Sequence, residues 1–212
     1  YKTVATNYTI NRVPANADPI VSKPAGISVV MMGKGKGATI RLSETGKITG
    51  DLRANWGTTA SVFRLEEGAT GINDGFVETP YYAATVFSGS HFINNGSLTT
   101  GTAGGVNGNG VYVSGTGSLF TNNGLLNISP PFWSSVIGSN SSSQGMTILG
   151  GAKAINNHIM NIGTSEGNKG RAVLGFVYGA LVSTNASFIN KASGVMNLGM
   201  DVVRVSLNAD AG

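Results

Sequence analysis

Few residues of this 212-residue chain could do chemistry, and their spacing says as much as their types. A Ser-His-Asp triad needs histidine as its base, and the only histidines are His91 and His158. Both sit inside a repeated string: His91 directly precedes Phe92, and His158 stands where other copies carry glycine. That placement assigns them a corner or surface role. Carbohydrate-cleaving chemistry needs clustered carboxylates, as calcium ligands or as an acid/base pair. The ten acids are scattered, and none falls between Glu78 and Glu166. Asp51 and Asp74 are the one pair that stacking could bring together, and both read more simply as corner residues in place of Asn. Residues 33–38, "GKGKGA", lack the spacing of a phosphate loop and read as a basic turn. With no cysteine there is no thiolate metal site and no disulfide framework. The sequence calls for no metal and no cofactor.

The elements that must position these residues are announced by composition and repetition. Glycine accounts for 32 residues and charged side chains for only 11%, against about 25% in ordinary globular proteins. Hydrophobic residues reach 41%, which supplies a core and excludes a disordered chain. The surface must then be mostly Ser, Thr, Asn and Gly. No apolar run reaches the roughly 18 residues of a membrane-spanning helix. The chain opens on Tyr1 and reads as a mature product or a fragment. Charge is uneven: residues 1–64 carry +6, residues 65–150 carry −4, and Pro80 to Ala152 holds no charged side chain. A basic end favours polyanions in general, but a solvated basic segment is the simpler reading, and no specific nucleic-acid site is indicated.

The strings Phe92-Ile93-Asn94-Asn95-Gly96, Phe120-Thr121-Asn122-Asn123-Gly124, Ala154-Ile155-Asn156-Asn157-His158 and Phe188-Ile189-Asn190-Lys191 align without gaps. Gly71-Ile72-Asn73-Asp74-Gly75 is a weaker first copy. Counted between first Asn residues, the spacings are 21, 28, 34 and 34. Short β-prone runs precede each copy: residues 60–65, 84–87, 111–113, 146–149 and 173–177. Others follow, as in Leu125-Leu126-Asn127-Ile128 and Ile159-Met160-Asn161-Ile162. Asn-Gly and Asn-Asn suit sharp corners. Constant strands and corners with a loop of variable length are hard to build as hairpins, where loop length sets register. They are easy to build as coils of a solenoid, each extruding its extra residues at one corner.

The predicted fold is therefore all-β: a right-handed parallel β-helix (β-solenoid) forming a single elongated domain over residues 28–212. Residues 1–27 are expected to form an N-terminal cap or lead-in segment. Roughly seven or eight coils should make a rod of about 35–40 Å at the spacing of β-strands. Asn94, Asn122, Asn156 and Asn190 are expected to form a hydrogen-bonded ladder. Phe92, Phe120 and Phe188, with Ala154 as the odd member, should stack in the core. "TPYY" at 79–82 and "PPFW" at 130–133 follow their repeat Asn by similar distances. They are expected at one corner, two coils and about 10 Å apart. Tyr81, Tyr82, Phe132 and Trp133 together would offer a binding patch to a sugar face or a partner protein.

The strings "GVYVSGTGSLFTNNGLLNI", "GMTILGGAKAINNHIMNIG" and "SVFRLEEGATGINDG" resemble passenger domains of classical (type V) autotransporters, of the pertactin-like and self-associating adhesin type. The resemblance spans residues 28–207 and implies a fragment of a longer passenger, exported by a Gram-negative bacterium and displayed at its surface or secreted. It implies an adhesin acting in adhesion, aggregation or biofilm rather than an enzyme. The expected partners are like passengers, with host glycans, matrix protein or polyanions besides, and no membrane insertion of this segment. The family's proteases carry their triad in a separate domain marked by Gly-Asp-Ser-Gly, a string absent here. Fold alone does not carry function. A carbohydrate-active β-helix enzyme and a structural stalk are the alternatives.

Overall fold

The computed structural model describes residues 2–4, 8–10, 29–49, 61–79, 82–100, 110–128, 143–162, 177–183, 185–198 and 204–207. These contain strands and corners and no helix. In chain order the coils are β1 (Lys2–Val4) and β2 (Tyr8–Ile10); β3 (Val29–Lys34), β4 (Thr39–Leu42) and β5 (Lys47–Thr49); and β6 (Ser61–Glu66), β7 (Thr70–Asn73) and β8 (Phe76–Thr79). The fourth and fifth are β9 (Tyr82–Phe87), β10 (His91–Asn94) and β11 (Ser97–Thr100), then β12 (Val111–Ser114), β13 (Leu119–Asn122) and β14 (Leu125–Ile128). Next come β15 (Ser143–Leu149), β16 (Lys153–Asn156) and β17 (Ile159–Ile162), then β18 (Val177–Val182), β19 (Ser187–Asn190) and β20 (Val195–Leu198). β21 (Arg204–Leu207) begins an eighth.

Each strand pairs in parallel with its counterpart one coil away, three strands further on from β3 onward, giving three sheets of eight, seven and six strands. The expected parallel β-solenoid is the observed fold. β1 and β2, within the expected lead-in segment, pair with β3 and β4 and so extend the first two sheets.

Period-two alternation decides which side chains enter the rod. In β13, Phe120 and Asn122 are fully buried while Leu119 and Thr121 are half-exposed. The core runs through Phe63, Leu65, Phe92, Leu98, Phe120, Leu126, Met146, Ile148 and Met160, all fully buried. Each such side chain contributes about 1.5–3 kcal/mol by leaving water. Phe92 and Phe120 are stacked, with centroids 6.0 Å apart, and Phe63 joins from the first sheet at 4.8 Å from Phe92. Ala154 lies between Phe120 and Phe188 in register, so the stack breaks there, and Phe188 is only partly buried.

Two corners of each coil are short. Between first and second sheets the chain turns in three or four residues through left-handed backbone, as at Gly35 and Gly37, Ser88 and Gly89, and Gly150 and Gly151. The "GKGKGA" string is such a turn, and Lys34 pairs there with Glu67 of the next coil at 3.1 Å. Between second and third sheets, the third to sixth coils turn in two residues. In the fourth and fifth coils glycine is needed at that corner for closeness: a Cβ on Gly96 or Gly124 would lie 2.1 Å from the carbonyl oxygen of Gly75 or Gly96 below.

The third corner takes up most of the variation, from residues 80–81 between β8 and β9 to residues 129–142 between β14 and β15. The unequal repeat spacing comes from this corner. Of the run expected at 173–177, only Val177 lies among the described residues, where it opens the strand Val177–Val182. Val182 pairs with Ile148 and precedes Ala186 and Phe188 at the spacing that Ile148 keeps from Ala152 and Ala154.

Candidate functional site

The densest array of interacting polar side chains follows the second corner. Asn73, Asn94, Asn122 and Asn156 are fully buried and each donates Nδ2 to the Oδ1 of the Asn one coil on, at 2.8, 2.7, 2.8 and 2.7 Å, ending at Asn190. Each also donates to a backbone oxygen beyond the corner, as Asn94 does to Leu125 and Asn122 to Ile159. The ladder closes at Asn190, which donates back to the Gly194 oxygen. At its start the Oδ1 of Asn73 is buried without a hydrogen bond, because Leu42 takes the equivalent place one coil below.

A second ladder, on the outside, uses the second Asn of each copy. Asn157 donates to Asn123 at 2.7 Å, Asn123 to Asn95 at 2.9 Å, and Asn95 to Asp74 at 2.7 Å. Its direction is opposite to that of the inner ladder. Asp74 explains this. A carboxylate only accepts, so Asn95 must turn its NH₂ down, leaving its oxygen up for Asn123, and so on. The Asp74 side chain, 8% exposed, also accepts from Arg41 Nε, which anchors the ladder with an ion pair. Asn95→Asp would set two carboxylates face to face. It is expected to destabilise the protein by about 1–2 kcal/mol, with partial recovery in high salt; the midpoints of denaturant unfolding in low and high salt measure it.

A third ladder on the outer face of the third sheet joins Thr99, Asn127, Asn161 and Asn197, with Asn–Asn bonds of 2.9 and 2.8 Å. Its signal lay in the sequence: "LLNI", "IMNI" and "VMNL" repeat Asn at the third strand position.

Of the expected aromatic patch, only Tyr82 lies among the described residues. Tyr82 opens strand β9 on the first sheet, paired with Ser61, rather than standing at a corner. Tyr81, Phe132 and Trp133 lie outside the described residues, as does Asp51. Tyr82 instead meets Tyr112 edge to face at 6.2 Å, and Tyr112 lies 5.5 Å from Phe87. The Arg64 guanidinium sits 5.4 Å from the Phe87 ring centroid, and both its Nε and Nη2 reach Glu66 Oε1 at 2.7 Å. Sequence reasoning missed this group because its members come from three coils, separated by loops of unequal length. Alternation gives no trace of it, because Tyr82 is out of phase with Thr85 and Phe87 in its strand.

His91 is exposed at the start of β10, between Thr70 and Leu119, and His158 is exposed at the second corner two coils away. Among the described residues no three His, Asp or Glu side chains gather as a metal site would require. Compared with family models, curated proteins and solved structures, the chain matches none.

Proposed function

We propose that the chain is an adhesive segment of a surface-displayed or secreted rod of the autotransporter-passenger type, associating with like copies and with surface ligands. A parallel β-solenoid is compatible with that type. The observation that carries the reading is an outward row on the second sheet: Ile72, Ile93, Thr121, Ile155 and Ile189, all half-exposed and stacked one per coil. Beside it runs the exposed amide ladder. The fourth and fifth coils carry no charged side chain from Pro80 onward, so little repulsion opposes contact between rods. Two copies share the same coil spacing, so rows of weak contacts can match along their length.

Sedimentation velocity should show oligomers that grow with concentration. Replacing Ile93 and Thr121 together by Lys puts like charges at the centre of the face, a device that keeps exposed sheet surfaces apart. That variant is expected to sediment as a monomer, and cells that display it should not clump as cells displaying the native chain do. A native protein that stays monomeric at high concentration and clumps no cells defeats the proposal.

A further inference from the structure

We infer that the outward face of the first sheet, where Tyr82, Phe87 and Tyr112 meet the Arg64–Glu66 pair, binds a neutral pyranose unit of a glycan. This names a ligand class for the adhesive rod and rests on that reading. The three rings are half-exposed and lie within 6.2 Å of one another in sequence of contact. They present carbon surface of the kind that the C–H faces of a sugar ring cover. Binding sites combine such aromatic surface with a few placed polar groups, and the polar groups are here.

Arg64 is 37% exposed and has further N–H donors beyond those spent on Glu66. Glu66 is 20% exposed and takes both Arg64 contacts on Oε1, leaving Oε2 to accept from a hydroxyl. The Tyr112 hydroxyl has no hydrogen-bond partner among the described residues. A donor and an acceptor side by side suit vicinal hydroxyls. The pair is also neutral as a unit, and the neighbouring Lys34–Glu67 pair is neutral as well. The polar pair among the rings therefore carries no net charge, which suits an uncharged sugar.

The test is a calorimetric titration of the native chain with maltohexaose, cellohexaose and heparin, with sedimentation run on the same samples. Saturable binding of a neutral hexasaccharide is expected, and it should hold between about 50 and 200 mM salt, the range in which polyanion binding falls steeply. Tyr112→Ala and Arg64→Gln should each weaken it about tenfold or more, as truncating an aromatic or Arg anchor does. Tyr112→Phe, which keeps the ring and the packing, should retain part of the affinity and guards against a folding artefact. A native chain that binds neither neutral sugar, or binds only heparin, overturns the site even if it self-associates. Undiminished sugar binding by both Tyr112→Ala and Arg64→Gln also overturns it. A chain that binds sugar yet stays monomeric keeps the site and overturns self-association instead, because the two lie on different faces.

Discussion

Phe92→Ala is expected to lower the stability of the rod by about 3–5 kcal/mol, the range for emptying a buried aromatic site. Phe92 is fully buried in the fourth coil and touches rings in the coils on either side, Phe63 and Phe120. Below it in register stands Gly71, where a Cβ would come within 2.8 Å of both the Phe92 ring and Leu65. Gly71 is thus the space into which Phe92 fits. With no side chain below to close the hole, the loss should fall in the upper part of the range. Coils of a solenoid stabilise only their neighbours, so the damage should spread to the third and fifth coils first, seen as faster amide exchange there. Gly71→Ala alone should destabilise by overpacking. In the Phe92→Ala background it should cost less than it does alone, since half of its clash is gone. Denaturant midpoints of the four proteins give the coupling. Strict additivity would show that the two residues do not share the space.

Asn122→Ala is the second large effect, expected at about 2–4 kcal/mol. The substitution removes the acceptor of Asn94, the donor to Asn156 Oδ1 and the donor to the Ile159 oxygen. Asn94 retains its bond to Leu125, but Asn156 Oδ1 and the Ile159 oxygen lose the donor they had. The site is fully buried, so water does not replace the lost amide without opening the corner. Asn123→Ala is the control one residue away. It breaks the outer ladder in the same manner, but Asn123 is exposed, and the loss should stay below about 1 kcal/mol. Equal thermal destabilisation by the two substitutions would refute the division into a buried and an exposed ladder.

The coil architecture was legible because repetition is visible without coordinates. Copies of Asn-Asn-Gly at unequal intervals, each between short alternating runs, leave few folds other than a solenoid. The residues at the first Asn were legible for the same reason: whatever is stacked recurs. The aromatic site was not. Tyr82, Phe87, Tyr112 and Arg64 are neighbours only because β6, β9 and β12 pair side by side in successive coils, and alternation within one strand cannot report that.

By itself the sequence determined the repeating unit, the alternation of inward and outward side chains, and the placing of extra residues at one corner. These are local properties of strands and turns. Only the tertiary structure decided that the second Asn of each pair forms a ladder of its own on the outside. It also decided the polarity of the outer ladder, which one carboxylate at Asp74 imposes on three amides above it. The pairing of Phe92 with the vacant side of Gly71, and of Phe63 with Phe92 across two sheets, was likewise decided there. Contacts between coils depend on register across loops of any length, and hydrogen-bond direction depends on the group at the end of the row.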